Sequence, residues 1–245
     1  MINRRVTLVT GGARRVGAEI VRAFAARGDA IVLHHGSSPA DAEHLATELR
    51  ATGTPVHIVA ADLRDVTAPA RIVHEAMDAF GRLDVVVSSA SLMLNHALDA
   101  VTSDEWNAVS EINLRAPFFL SQAAAKVMLP GSNIIHMCDH LATEARFPHL
   151  IPHQATKAGV ANLVSTLAGA LAPHIRVNGV APGLVLKPDD LPAAKEAEFL
   201  RDVPLARSGT PADVTHAILF LVEASYITGV VLSVDGGRHL WRSFA

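Results

Sequence analysis

Eight residues early in the chain, Thr10-Gly11-Gly12-Ala13-Arg14-Arg15-Val16-Gly17, have the make-up of an anion-binding turn. Glycine between a strand and a helix lets a pyrophosphate approach backbone N–H groups at the helix N-terminus, where the helix dipole also favours negative charge. Tight turns without a ligand use glycine too, so the next residues matter. A protein that selects NAD usually ends its second strand in Asp or Glu, which binds the ribose 2′-hydroxyl. That place reads His34-His35-Gly36-Ser37-Ser38 and holds no carboxylate. Two imidazoles, hydroxyls and the nearby Arg14 and Arg15 suit a 2′-phosphate instead, which points to NADP(H). Cations at a helix start oppose the dipole unless an anion sits there. The plainer reading makes Arg14 and Arg15 solvated, and lets one of His34 and His35 simply end a buried strand.

Thirteen histidines raise the question of a metal, above all at His149-x-x-x-His153. Pro152 interrupts a helix between the two, and the glutamate of an HExxH motif is absent. Loop or active-site histidines account for the pair, and no metal site is expected.

The elements that must hold these residues alternate. Short β-branched runs at Val6–Thr10, Ala30–His34, Val56–Ala60, Val85–Ser88, Asn133–Met137, Arg176–Val180 and Val230–Val234 read as strands. Between them, helices are expected over Val16–Arg27, Ala40–Thr52, Pro69–Phe80, from Ser103 as cap to about Asn113, Pro117–Met128, Pro152–Ala172 and Pro211–Glu223. Seven apolar strands alternating with helices imply an α/β fold: a doubly wound, Rossmann-type parallel sheet covered on both faces. No linker or repeat divides residues 1–245, so a single domain is expected. Leu184–Pro204 is the most loop-like stretch and follows a strand's carboxyl end, where such sheets bind ligands. It reads either as a substrate flap or as an ordinary surface excursion.

Composition narrows the partners. Twenty-one basic against 24 acidic residues argues against nucleic acid or a membrane surface. No apolar run approaches the roughly 20 residues of a membrane span. With no signal-peptide pattern and a single cysteine, Cys138, the expectation is a soluble cytoplasmic protein. Tyrosine also occurs once, as Tyr226.

Taken together, these segments resemble the short-chain dehydrogenase/reductases along essentially the whole chain. The Thr10–Gly17 turn is similar to that family's glycine motif, with Arg15 where the middle glycine is usual, as in the pteridine reductase branch. Asp62 in Ala61-Asp62-Leu63 matches the adenine contact, and Ser88-Ser89-Ala90-Ser91 the Asn-Asn-Ala-Gly/Ser segment, with serine for both asparagines. Asn113 matches the helix asparagine that holds a proton-relay water. Arg176-Val177-Asn178 to Pro182-Gly183-Leu184 and Val234-Asp235-Gly236-Gly237 are also typical of the family. The resemblance implies NADP(H) held by Gly11, Arg14, Arg15, Val16, His35, Ser37, Ser38, Asp62, Leu63, Ser89, Ala90, Ser91, Lys157, Pro182, Gly183 and Leu184.

The catalytic segment departs from the family's pattern. Where Tyr-x-x-x-Lys is expected, the chain has His153-Gln154-Ala155-Thr156-Lys157, and Asp139 stands where pteridine reductases carry aspartate. The resemblance implies hydride transfer to a C=N or C=O bond of a small planar or carbonyl substrate. Lys157 would hold the nicotinamide ribose, and its charge would lower the His153 pKa. Asp139 would be the proton donor if burial raises its pKa or if it relays protons from water, with His153 orienting the substrate. A strand-end cap is the plainer reading of Asp139, and an ordinary helix-end residue that of Asn113. Arg15, Ser91 and Met93 complete the candidate substrate residues, although Met93 reads equally as core packing. A catalytically impaired dinucleotide-binding sensor or assembly subunit is the alternative. The resemblance also suggests a homotetramer or homodimer, and the tail with Trp241 and Phe244 packs on a neighbour or on its own chain.

Overall fold

The computed structural model describes residues 2–142, 147–186 and 192–243, apart from the side chains of residues 193 and 241–243. Seven strands form one parallel sheet: β1 (Val6–Thr10), β2 (Ala30–His35), β3 (Val56–Ala60), β4 (Val85–Ser88), β5 (Ser132–Met137), β6 (Ile175–Pro182) and β7 (Val231–Val234). Their spatial order is β3-β2-β1-β4-β5-β6-β7. The chain winds outward from β1 to β3, then returns to lay β4 against the other side of β1. The carboxyl ends of β1 and β4 therefore bound the crevice where the winding reverses, the usual ligand position in such sheets.

Side chains alternate across each strand, and each face has its own core. Val6 and Leu8 of β1, Val32 of β2 and Ile134 of β5 pack with α3 (Ala68–Phe80), α5 (Ala116–Ala125) and α6 (Ile151–Leu171). Val9, Leu33 and Ile135 face the opposite way, onto α1 (Arg15–Ala26), α2 (Pro39–Ala51) and α8 (Pro211–Glu223). Such a strand is apolar at nearly every position because both faces are dry. That is why the strands read as continuous apolar runs.

Three elements differ from the expectation. The helix beginning near Ser103 is capped by Thr102, whose hydroxyl accepts from the Glu105 N–H at 3.2 Å while the Glu105 carboxylate accepts from the Thr102 N–H at 3.0 Å. Ser103 is its first helical residue. This helix, α4 (Ser103–Ser110), does not stop at Asn113: a π turn over Glu111–Arg115 carries it straight into α5. Leu184–Pro204 is not all loop, since Ala193–Arg201 forms helix α7; residues 187–191 of that stretch lie outside the described residues. The side chain of Trp241 and the whole of Phe244 also lie outside them.

Because the cap is Thr102, Thr102→Ala lowers stability by about 1 kcal/mol, whereas Ser103→Ala stays within about 0.5 kcal/mol. Urea unfolding of the two variants checks the ranking.

Candidate active site

The glycine turn is held by packing that leaves no choice of residue. A Cβ on Gly17 would lie 2.1 Å from the Gly11 carbonyl oxygen, and one on Gly11 would lie 2.9 Å from Ala90 Cα. Arg15 has φ 54°, the left-handed region that a non-glycine residue occupies at a cost of about 1–3 kcal/mol. This explains the family's glycine at that place. One guanidinium nitrogen of Arg15 reaches the Leu186 carbonyl at 3.4 Å.

His34 fixes the turn from below. Its Nδ1 accepts the Gly11 N–H at 3.2 Å, and its Nε2 donates to the Ala61 carbonyl at 3.0 Å. With both nitrogens engaged and 1% exposure, the ring joins the ends of β1, β2 and β3. Burial lowers its pKa to about 4, although the bond to Ala61 acts the other way. It is a buried structural residue of β2; its neighbour His35, the last residue of the strand, lines the cleft as well and has no hydrogen-bond partner for its buried Nδ1. Across the crevice, the Thr10 hydroxyl accepts the N–H groups of Ser89 and Ala90 at 3.0 and 3.2 Å, locking the β4 end onto β1.

These segments enclose a cleft of about 620 Å³. It brings together Gly11, Arg14, Arg15, Val16, His35, Ser37, Ser38, Asp62, Leu63, Ser89, Ala90 and Ser91, all singled out from the sequence. Arg64 joins them and was not anticipated. It pairs with Asp62 at 2.6 Å and draws that carboxyl below its usual range, chiefly through the side-chain hydrogen bond. A basic residue two positions after Asp62 was the available signal.

The second half of the site lies at the carboxyl end of β5. Asp139 Oδ2 is 3.2 Å from His153 Nε2, and Oδ1 is 3.0 Å from His140 Nδ1 and 2.8 Å from the Leu141 N–H. Burial pushes the Asp139 carboxyl upward, but the hydrogen bonds from His140, His153 and Leu141 outweigh it and hold it well below the usual carboxylate range. Asp139 is thus an ionised acceptor here, so of the two conditions for its acting as proton donor the raised pKa is not met, which leaves the relay from water. An ionised carboxylate can only accept, so His153 Nε2 carries a proton. His140, adjacent to Asp139 in the chain, was the partner missed.

Asn113 sits in the π turn at 1% exposure and clasps the segment after β4. Its Oδ1 accepts the Leu92 N–H at 2.7 Å and lies 3.3 Å from the Ser91 hydroxyl, while its Nδ2 donates to the Leu92 carbonyl at 2.8 Å and lies 3.4 Å from His153 Nδ1. It is no ordinary helix-end residue. Lys157, 4% exposed, donates from Nζ to the Met137 carbonyl at 2.8 Å, and burial lowers its pKa against the pull of Asp139 and Cys138. Asp139, His153, Lys157 and Asn113 therefore form one cluster. Pro182 reaches it through a 3.1 Å contact of its carbonyl with His140 Nδ1. Gly183 and Leu184 are not brought to the cleft; Gly183 donates to the Val234 carbonyl and Leu184 lines a separate cavity near β7. Met93 is 59% exposed, so it does not belong to the core. Tyr226 is fully exposed ahead of β7, at the amino end of the parallel strands, whereas these groups lie at the carboxyl end.

Residues 11–239 match the family model described as Enoyl-(Acyl carrier protein) reductase. A short-chain dehydrogenase from Burkholderia cenocepacia J2315, solved with NADP, is 31% identical over 96% of this chain and 97% of that one, with a TM-score of 0.91. The chain belongs to the short-chain dehydrogenase/reductase family. A 3-oxoacyl-[acyl-carrier-protein] reductase of Synechocystis is 32% identical over 96% of this chain and 97% of its own length. A blue fluorescent protein from a metagenomic library, solved in complex with NADPH, is 34% identical over 96% of this chain and 97% of that one, with a TM-score of 0.91. Short-chain enzymes are oxidoreductases, and this chain shares their seven-stranded sheet. Among the described residues, no helix is long and apolar enough to cross a membrane, and none group as a metal site.

Two expected outcomes follow from this geometry. Arg15→Gly relieves the left-handed backbone and raises stability by about 1 kcal/mol, while weakening NADPH binding; melting curves and fluorescence titration check both. His34 and the fully buried His136, each lowered to about 4 chiefly by burial, stay neutral in the folded state where the unfolded chain takes up a proton. Stability is therefore lost as pH falls from about 6.5 toward 4, by about 2 kcal/mol per ring between pH 7 and 5. Urea midpoints at the two pH values measure it.

Proposed function

We propose that the protein is an NADPH-dependent reductase, similar to the pteridine reductases, that transfers a hydride to a C=N or C=O bond of a small planar or carbonyl substrate. The observation that carries this reading is the 3.2 Å contact between Asp139 and His153 at the carboxyl end of β5, joined to the dinucleotide cleft through Asn113, which holds Ser91 and Leu92 of its lining.

The residues present fit NADP(H). Val16 places its backbone N–H at the start of α1 for the pyrophosphate, and Gly11, whose own N–H is held by His34, lines the same cleft without a side chain. Arg14, Arg15, Ser37, Ser38 and the unpartnered Nδ1 of His35 supply charge and donors for a 2′-phosphate. Asp62 and Leu63 lie where an adenine would rest, and Ser89 to Ser91 line the way to Lys157. Bound there, the cofactor supplies the hydride. Lys157, whose Nζ donates to the Met137 carbonyl, would hold the nicotinamide ribose.

The protein's own task is the proton. Histidine stands at position 153 where the family's tyrosine is expected, and the family's usual acid is absent because the one tyrosine, Tyr226, precedes β7 at the amino end of the strands. Asp139 and His153 act as one pair: the Nε2 proton faces the carboxylate, which stabilises the positive ring formed when Nδ1 is protonated as well, and that imidazolium returns to neutral imidazole by giving one proton to the substrate. Asp139, partly open to solvent, stays ionised and draws the replacement proton from water toward the ring. Asn113 orients the other side of the ring and holds Ser91 and Leu92 in place. Met93, exposed beside them, lies over a flat ligand without the specificity of an aromatic ring. A homodimer or homotetramer belongs to the same reading, supported by β7 standing at the sheet edge.

One observation favours a second reading, a dinucleotide-binding sensor or assembly subunit without turnover: both ring nitrogens of His153 already have protein partners, at 4% exposure.

NADPH oxidation over dihydropterins, quinones and small carbonyls decides between them. Turnover is expected, with NADPH bound at least about ten-fold more tightly than NADH; tight binding without turnover on any compound establishes the second reading. Asp139→Asn and His153→Phe should each lower kcat by about 100-fold, and the double variant little further, because the pair acts as a unit.

A further inference from the structure

One buried cation has no part in the chemistry above. Arg238 opens the last turn, Arg238–Ser243, and is 2% exposed. Its guanidinium carbon lies 3.8 Å from the centre of the Phe199 ring on α7 and 5.8 Å from that of Phe147. One terminal nitrogen donates to the Phe199 carbonyl at 3.0 Å, and the other lies 3.8 Å from the Asp202 carboxylate. Three segments far apart in the chain thus meet on one planar cation. Phe199 makes a further contact: its ring stands edge-on to that of His140, 6.2 Å between centres at 89°. His140 is the ring bonded to Asp139. A continuous line of contacts runs from the C-terminal segment, through α7, to the reacting pair.

Arginine suits such a junction because its flat guanidinium stacks on an aromatic face while its N–H groups still donate in the plane. An ammonium cannot do both. Taking that charge out of water is costly, and an apolar side chain would fill the same space with less penalty. What the cation adds is a fixed arrangement of its neighbours.

We propose that Arg238 is a positioning residue for substrate capture: through Phe199 it fastens α7 against His140, and so beside the Asp139–His153 pair. The dinucleotide cleft, on the other side of the crevice, does not depend on it. The inference rests on the reading of that pair as the reacting site.

The test uses the full chain with Arg238→Ala, Arg238→Lys, Phe199→Ala and Phe199→Tyr. Hydrogen exchange is followed over residues 193–202, NADPH binding by fluorescence, and steady-state reduction with a planar ortho-quinone as probe. Both Arg238 variants and Phe199→Ala are expected to speed exchange over 193–202 by about ten-fold or more, with β5 and β6 unchanged. They should also raise KM for the quinone about ten-fold, with kcat and the NADPH Kd within about two-fold. Phe199→Tyr, which keeps the ring, should behave as the parent protein. Unchanged exchange over 193–202, exchange rising equally in β5 and β6, or an unaltered KM would each overturn the proposal. If the parent protein reduces no probe, the reading of the Asp139–His153 pair fails, and the proposed role in capture falls with it; the exchange pattern still shows separately whether Arg238 fastens α7.

Discussion

A parallel sheet ends in a row of backbone groups that no further strand can take, and in this protein side chains take them. At the carboxyl edge, His34 accepts from Gly11 and donates to Ala61, Thr10 accepts from Ser89 and Ala90, Asn113 holds both polar groups of Leu92, and Lys157 donates to Met137. Each of these four side chains is nearly fully buried. An unpaired polar group in that setting costs on the order of 1–3 kcal/mol, so the crevice walls are fixed before any ligand arrives. The chemistry is built on the same edge because groups held so firmly lose little freedom when they engage a ligand.

The charge balance around Asp139 follows from the same crowding. Desolvation alone would neutralise the carboxyl, yet two imidazoles and a backbone N–H converge on it and win. Charge is thereby concentrated next to a histidine ring that already carries a proton on the facing nitrogen. The carboxyl end of β5 thus carries a polar, proton-bearing cluster. Lys157 lies beneath it, with burial opposing its charge and Asp139 supporting it.

Much of this was legible in the sequence, and the reasons are physical. Strands buried on both faces announce themselves as unbroken apolar runs, so the seven strands and their helices were placed to within a few residues. The glycine turn and the missing carboxylate after β2 led to the cleft residues because backbone approach and charge are local requirements. What could not be read depended on pairing across the fold. His34 and His35 are adjacent and chemically alike, and only the positions of Gly11 and Ala61 decide which one is structural. The direction of the Asp139 shift required knowing that His140 and His153 both turn toward it. Helix α7 was hidden because Ala193–Arg201 has few buried positions to mark a period, and its anchor lies some forty residues further along the chain.

The π turn over Glu111–Arg115 has a consequence for how this chain tolerates changes in length. A π turn is equivalent to one residue inserted into an otherwise regular helix. Removing a single residue between Ser103 and Glu111 would let the stretch relax to uniform α-helix, a better structure in isolation. Helix α5 would keep its seat, because the π turn had absorbed the extra residue, but the residues between the deletion and Arg115 would turn by roughly 100°. Asn113 would swing away from Leu92 and His153. The irregularity acts as a spacer, setting the phase between the helix that carries Asn113 and the core that α5 must meet.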